Sequence, residues 1–88
     1  MLNSIPVTQF KRDVKLCKKR NKDMSKLRTL MTLLIEENPI PQEYSDHPLL
    51  GAWRNHRDSH IEPDWLLIYK IDGNNIYFIR TGTHSDIF

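Results

Sequence analysis

The sequence predicts a single α+β domain of order β-α-α-β-β-β, two antiparallel helices packed on a small, mostly antiparallel sheet. Three observations lead there. Apolar residues recur at helical spacing through the first half, as Phe10, Val14 and Cys17 and then as Leu27, Leu30, Met31, Leu34 and Ile35. The second half switches to strand-like apolar runs joined by Asp72-Gly73-Asn74-Asn75, a strong hairpin signal. A length of 88 residues supports one domain, so residues 1–88 are read as one unit.

Residues 2–7 read as a short first strand, with Pro6 confining it to an edge or a strand end. Thr8 is placed to cap a helix over residues 9–20. Asn21-Lys22-Asp23 is a turn, and Asp23 is placed to cap a second helix, which Pro39 and Pro41 end. Residues 53–61 are mixed and polar, as in a strand that carries functional side chains. Glu62-Pro63-Asp64 is a turn. Residues 65–71 are apolar on both faces, as in a central strand covered on both sides. Residues 76–81 return antiparallel to them, and Gly82 releases the chain into residues 83–88.

Composition narrows the function. Apolar residues make up 39% of the chain and no low-complexity tract is present, which excludes a disordered segment. Cys17 is the lone cysteine, which excludes an internal disulfide and a thiolate cluster. The first residues lack a basic stretch followed by an apolar one, and no run is long enough to span a bilayer, so a soluble cytoplasmic protein with no membrane partner is expected. Residues 1–28 hold nine of the 13 lysines and arginines and two of the 11 acids. Helices with a basic face suit polyanions, because each neutralised phosphate releases condensed counterions. The alternative is a solvated helix face.

Three of the four histidines, His47, His60 and His84, stand in polar, loop-like or strand-end settings that the topology can gather at one side of the sheet. Imidazole, with an ordinary pKa of about 6.5, gives or takes a proton at neutral pH. RNA cleavage by transesterification needs a base for the 2′-hydroxyl, an acid for the leaving 5′-oxygen, and donors around the phosphorus. Asp64 is suited to accept a proton or to orient a histidine, and Arg57 and Arg80 to hold phosphate by forked donation. Trp53 and Trp65 read by default as core, and Phe88 as a packing plug or a base-stacking ring. No His-x-His, His-x₃-His or HExxH spacing is present, so neither metal nor cofactor is expected.

Several motifs carry a resemblance. Asp46-His47-Pro48-Leu49, Gly51-x-Trp53-Arg54, Arg57-Asp58-x-His60-Ile61-x-Pro63-Asp64-Trp65-x-Leu67-Ile68-Tyr69 and Arg80-Thr81-Gly82-Thr83-His84 resemble the YafQ branch of the RelE-like toxins. Asp13-Val14-Lys15-Leu16 and Lys22-Asp23-Met24-x-Lys26-Leu27 fit it as well, so the likeness runs through nearly the whole chain. It implies a RelE-like fold and the toxin of a type II toxin–antitoxin pair. Such a toxin is a ribosome-dependent endoribonuclease that cuts mRNA in the A site and is silenced by a cognate antitoxin, through which the complex binds operator DNA. It further implies that His47, His60, Asp64 and His84 are the acid–base and phosphate set, with His84 or His47 as acid and Asp64 or His60 as base. Trp65 and Phe88 are implied to position substrate. The basic residues Lys11, Lys15, Lys18, Lys19, Arg20 and Lys22 then read as a surface for ribosomal RNA. His56 stands where the branch carries an aromatic, and no role is assigned to it. The contrasting readings are a non-catalytic ribosome- or nucleic-acid-binding module, which gives the histidines no work, and a histidine metal-binding protein.

Overall fold

A computed structural model describes residues 1–88. Strand β1 (Asn3–Pro6) leads into helix α1 (Thr8–Lys19) and helix α2 (Met24–Ile35). A two-residue strand β2 (His47–Pro48) follows, then β3 (Arg57–Glu62), β4 (Trp65–Asp72), β5 (Asn75–Gly82) and a last short helix α3 (His84–Ile87). The sheet order is β1-β5-β4-β3-β2. β1 lies parallel to β5 and every other pair is antiparallel, as expected for a mostly antiparallel sheet.

Both long helices end in the same way. After α1, Asn21 takes a left-handed conformation, its N–H reaching Lys18 and that of Lys22 reaching Cys17. After α2, Glu37 does the same, with bonds to Leu34 and, from Asn38, to Leu33. These paired bonds satisfy carbonyls that a helix end leaves open. Asp23 caps α2 as expected, accepting from the Ser25 N–H at 3.0 Å. Thr8 does not cap α1. It is already the first helical residue, and Val7 occupies the cap position without a side-chain bond.

The helix pair covers one face of the sheet. Phe10, Cys17, Leu27, Leu30 and Leu34 pack there with Leu2, Trp65, Leu67, Tyr69, Ile76 and Phe78. β4 is third of five strands, and its residues Trp65 to Tyr69 are all buried. Leu66 and Ile68 point to the other face, as alternation requires. Two elements were not anticipated from the sequence, β2 and α3. Both are too short to show a period, and both carry a histidine of the site.

Candidate active site

Register builds the site. β3 and β4 place Asp58 opposite Ile68 and His60 opposite Leu66, while β2 and β3 place His47 opposite Asp58. Paired residues of an antiparallel ladder share a face, so His47, Asp58 and His60 stand together on the side away from the helix pair. α3 brings His84 to them. The rings form a chain, with centroids 5.9 Å apart between His47 and His60 and 5.8 Å between His60 and His84. The structure thus brings together the three histidines singled out in the sequence.

Asp58 sits beneath them and was missed by the sequence reading. It is 4% exposed, with Oδ2 lying 3.7 Å from His47 Nε2 and 3.5 Å from His60 Nε2. Its Oδ1 is buried with no hydrogen-bond partner. Burial pushes the Asp58 carboxyl above its ordinary value, and the neighbouring imidazoles oppose that shift. The available signal was Asp58-x-His60, two polar residues at the spacing that shares one face of a strand. The trio His47, Asp58 and His60 also offers three metal-ligating atoms within 4.8 Å of one another, at a spacing in sequence that resembles no common metal motif.

Asp64 and His84 form a dyad. The carboxylate accepts from the His84 backbone N–H at 2.9 Å and lies 2.6 Å from its Nδ1. Those bonds to the backbone and the ring lower the Asp64 pKa. An ionised carboxylate can only accept, so Nδ1 carries the hydrogen and Nε2 is the nitrogen left for chemistry. α3 is held by several ties around this pair. Thr83 and Asp86 close a reciprocal capping box, and Arg20 grips Asp86 at 2.6 Å. Arg20 and the Thr83 backbone hold the Asp86 carboxyl down to about 2. Gly82 makes the turn, since a Cβ there would stand 2.8 Å from the Asp86 carboxylate.

Several residues singled out in the sequence have partners of their own in the fold. Trp65 has no accessible surface and donates its indole N–H to Thr81 at 2.9 Å, so its ring packs within the core. Arg80 is committed to the buried Asp13, Nε lying 2.7 Å from Oδ2, and donates to the Asp86 carbonyl as well. Arg57 adjoins Asp58 along the strand and so faces the other way, where Nε binds Asp46 at 2.7 Å. Both guanidinium groups are thus paired with carboxylates. Arg20, expected in the RNA-binding set, is the clamp on α3, while the Lys22 amine lies over the Trp65 ring and 3.9 Å from Glu62. Lys11, Lys15, Lys18 and Lys19 keep exposed or half-exposed positions along α1. Phe88 is 59% exposed, its ring edge-on to Trp53 at 6.0 Å, as a stacking residue would be. His56 packs on Trp53 and hydrogen-bonds the Arg54 carbonyl, outside the ring chain.

A helix pair backing a mostly antiparallel sheet, with histidines and carboxylates gathered on its open face, is the RelE-like architecture expected from the sequence. Comparison with known proteins makes this specific. The family described as the bacterial toxin of type II toxin–antitoxin system, YafQ, matches residues 3–88. The mRNA interferase toxin YafQ of Escherichia coli K12 is 56% identical over 81 residues, covering 91% of this chain and 88% of the relative. Among solved structures, YafQ of E. coli strain BL21(DE3) superposes with a TM-score of 0.95 at 49% identity, covering 100% of this chain and 99% of that one. The E. coli DinJ–YafQ complex gives 0.93 at 50% identity, covering 100% and 99%. The chain belongs to the YafQ family of type II toxin–antitoxin toxins.

Proposed function

We propose that this toxin is an endoribonuclease, an mRNA interferase that stops translation in the cytoplasm by cutting message in the ribosomal A site through metal-independent acid–base transesterification. The observation that supports it most directly is the chain of three imidazoles over one buried carboxylate, with the last imidazole oriented by Asp64. The relative in E. coli K12 carries the name of an mRNA interferase, which supports the same reaction.

In this reading His60 takes the proton of the 2′-hydroxyl, whose oxygen attacks phosphorus. The bond from phosphorus to the 5′-oxygen breaks, and His84 Nε2 supplies the proton to that oxygen. The products are a 2′,3′-cyclic phosphate and a 5′-hydroxyl. Asp64 orients rather than accepts, because its lowered pKa makes it a poor base. Asp58 stabilises whichever neighbour, His47 or His60, is protonated. His47 faces the phosphate as donor, and Phe88 stacks on a base beside the cut. Such groups contribute about 10²–10⁴-fold each to proton transfer, and a ribosome that aligns the RNA adds the rest through orientation.

The cognate antitoxin is the expected partner, since E. coli YafQ crystallises with DinJ. An open groove of about 410 Å³ between α1 and α2 suits an amphipathic antitoxin segment. Its floor includes Phe10, Val14 and Met31, and its rim Lys11, Lys15, Lys18 and Arg28. The same lysines, with Lys19, are the surface for ribosomal RNA, so an antitoxin seated there competes with the ribosome. Operator DNA is reached through the antitoxin.

Inducible expression of the chain and of His84→Ala tests the reaction. The wild type should arrest growth and fragment mRNA, and the variant should do neither. Equal growth and equally intact message in both would sink the catalytic reading. Arrest that survives His84→Ala but is lost on replacing Lys18 and Lys19 would favour a non-catalytic ribosome-binding module.

A further inference from the structure

The strand that carries His47 has little to hold it. β2 is two residues long and pairs with β3 only through His47 with Asp58 and Pro48 with Arg57. The residue before it makes up the deficit. The Asp46 side chain is 12% exposed and gathers four donors. Arg57 donates from Nε and Nη2, each 2.7 Å from Oδ1. Ser59 Oγ and the Tyr69 hydroxyl donate to Oδ2 at 2.6 and 2.5 Å. The carboxylate therefore ties the start of β2 to two strands, β3 and β4. Burial and the Asp46 charge hold the Tyr69 phenol above its ordinary value, so it remains a donor.

Successive residues of extended chain point to opposite faces. Tyr69 and Ser59 belong to the helix side of the sheet, Tyr69 within the core and Ser59 opposite Leu67 of that core. A clamp on Asp46 from that side fixes the adjacent His47 on the other. Ser45 completes the arrangement. Its backbone turns left-handed at φ +47°, and its carbonyl meets His47 Nδ1 at 2.7 Å. A carbonyl only accepts, so Nδ1 carries a hydrogen there and Nε2 is the nitrogen turned to Asp58 and the site.

We propose that Asp46 is a positioning residue for His47: by drawing Arg57, Ser59 and Tyr69 together beneath the sheet it fixes both the place of the imidazole and the nitrogen that faces the RNA. The inference rests on the reading of His47 as part of the reacting set, and its test separates the two. The full chain carrying ¹⁵N-labelled histidine is examined by NMR for the tautomer of the His47 ring, and in parallel for single-turnover cleavage of ribosome-bound mRNA. The wild type should show the Nδ1–H form. Asp46→Ala should populate the Nε2–H form that free imidazole favours and lower kcat about tenfold or more, with KM changed less than about twofold. An unchanged tautomer together with wild-type cleavage in Asp46→Ala overturns the proposal. If that variant fails to fold, Tyr69→Phe and Ser59→Ala, which remove one donor each, should each reduce kcat, and wild-type kcat in both overturns it equally. A tautomer that shifts in Asp46→Ala while His47→Ala cleaves normally upholds the positioning role and removes His47 from the reaction.

Discussion

Replacing Asp13 with alanine should destabilise the toxin by about 2–3 kcal/mol, although Asp13 lies far in sequence from every histidine. The carboxylate is buried on α1 and accepts four bonds. Arg80 gives two, at 2.7 and 3.3 Å, the Thr81 N–H one at 3.1 Å and Gln9 one at 3.0 Å. Together they tie α1 to the end of β5, where the chain turns into α3. Asp13→Ala strands a guanidinium that is mostly buried and a backbone N–H with no substitute acceptor. Removing one partner of a fully buried pair costs about 3–5 kcal/mol. The Arg80 side chain keeps 22% of its exposure, so water recovers part of that loss and the smaller figure follows. In a domain of this size the change corresponds to a Tm lower by about 10–20 °C. Urea denaturation of the purified toxin is the assay. The pair Asp13→Leu and Arg80→Met together should recover at least half of the loss, because no charge is then left alone. A single Asp13→Ala variant within about 0.5 kcal/mol of wild type would refute the reasoning. So would a stable Arg80→Met variant that had lost RNA affinity alone, since Arg80 would then hold phosphate after all.

Three further expectations follow from the same geometry. Asp64→Asn keeps the shape but not the charge that orients His84, and should lower the single-turnover rate about 10²-fold, with a Tm near that of wild type. A rate within twofold of wild type would return Asp64 to the surface. Deleting Phe88 should cut cleavage while leaving the denaturation midpoint in place, because the residue is 59% exposed and its ring lies edge-on to Trp53. An unfolded product would make Phe88 a packing plug. The Arg20–Asp86 tie on α3 should show in acid. Asp86 ionises more readily folded than unfolded, so the tie contributes above the ordinary carboxylate value of 3.8 and fades as pH falls through about 2. Protection of the Asp86 and Phe88 amides, relative to intrinsic exchange at each pH, should fall across that window in wild type, and be low at higher pH too in Arg20→Ala. Equal protection in both proteins would remove the clamp.

Periodicity carried most of the fold. Helical spacing in Phe10, Val14 and Cys17 and the hairpin signal at Asp72-Gly73 depend on local sterics and on which faces are apolar, and both are written along the chain. Asp23 capped its helix for the same local reason. The histidines were also legible, because imidazoles in polar settings stand out and the motifs around them resemble a known toxin branch.

Their environment was not legible. Asp58 becomes a buried carboxylate between two imidazoles only when β2 pairs with β3, and a two-residue strand leaves no pattern to read. Which carboxylate each arginine pairs with was equally hidden. A guanidinium suits phosphate and carboxylate alike, and Asp13 and Arg80 stand 67 residues apart before folding joins them. The sequence by itself determined the helix pair and the hairpin and singled out the histidines, all of which follow from local propensity and chemical type. Only the tertiary structure decided which polar side chains gather on the open face of the sheet and which hold the scaffold, because that depends on strand register and on partners distant in the chain.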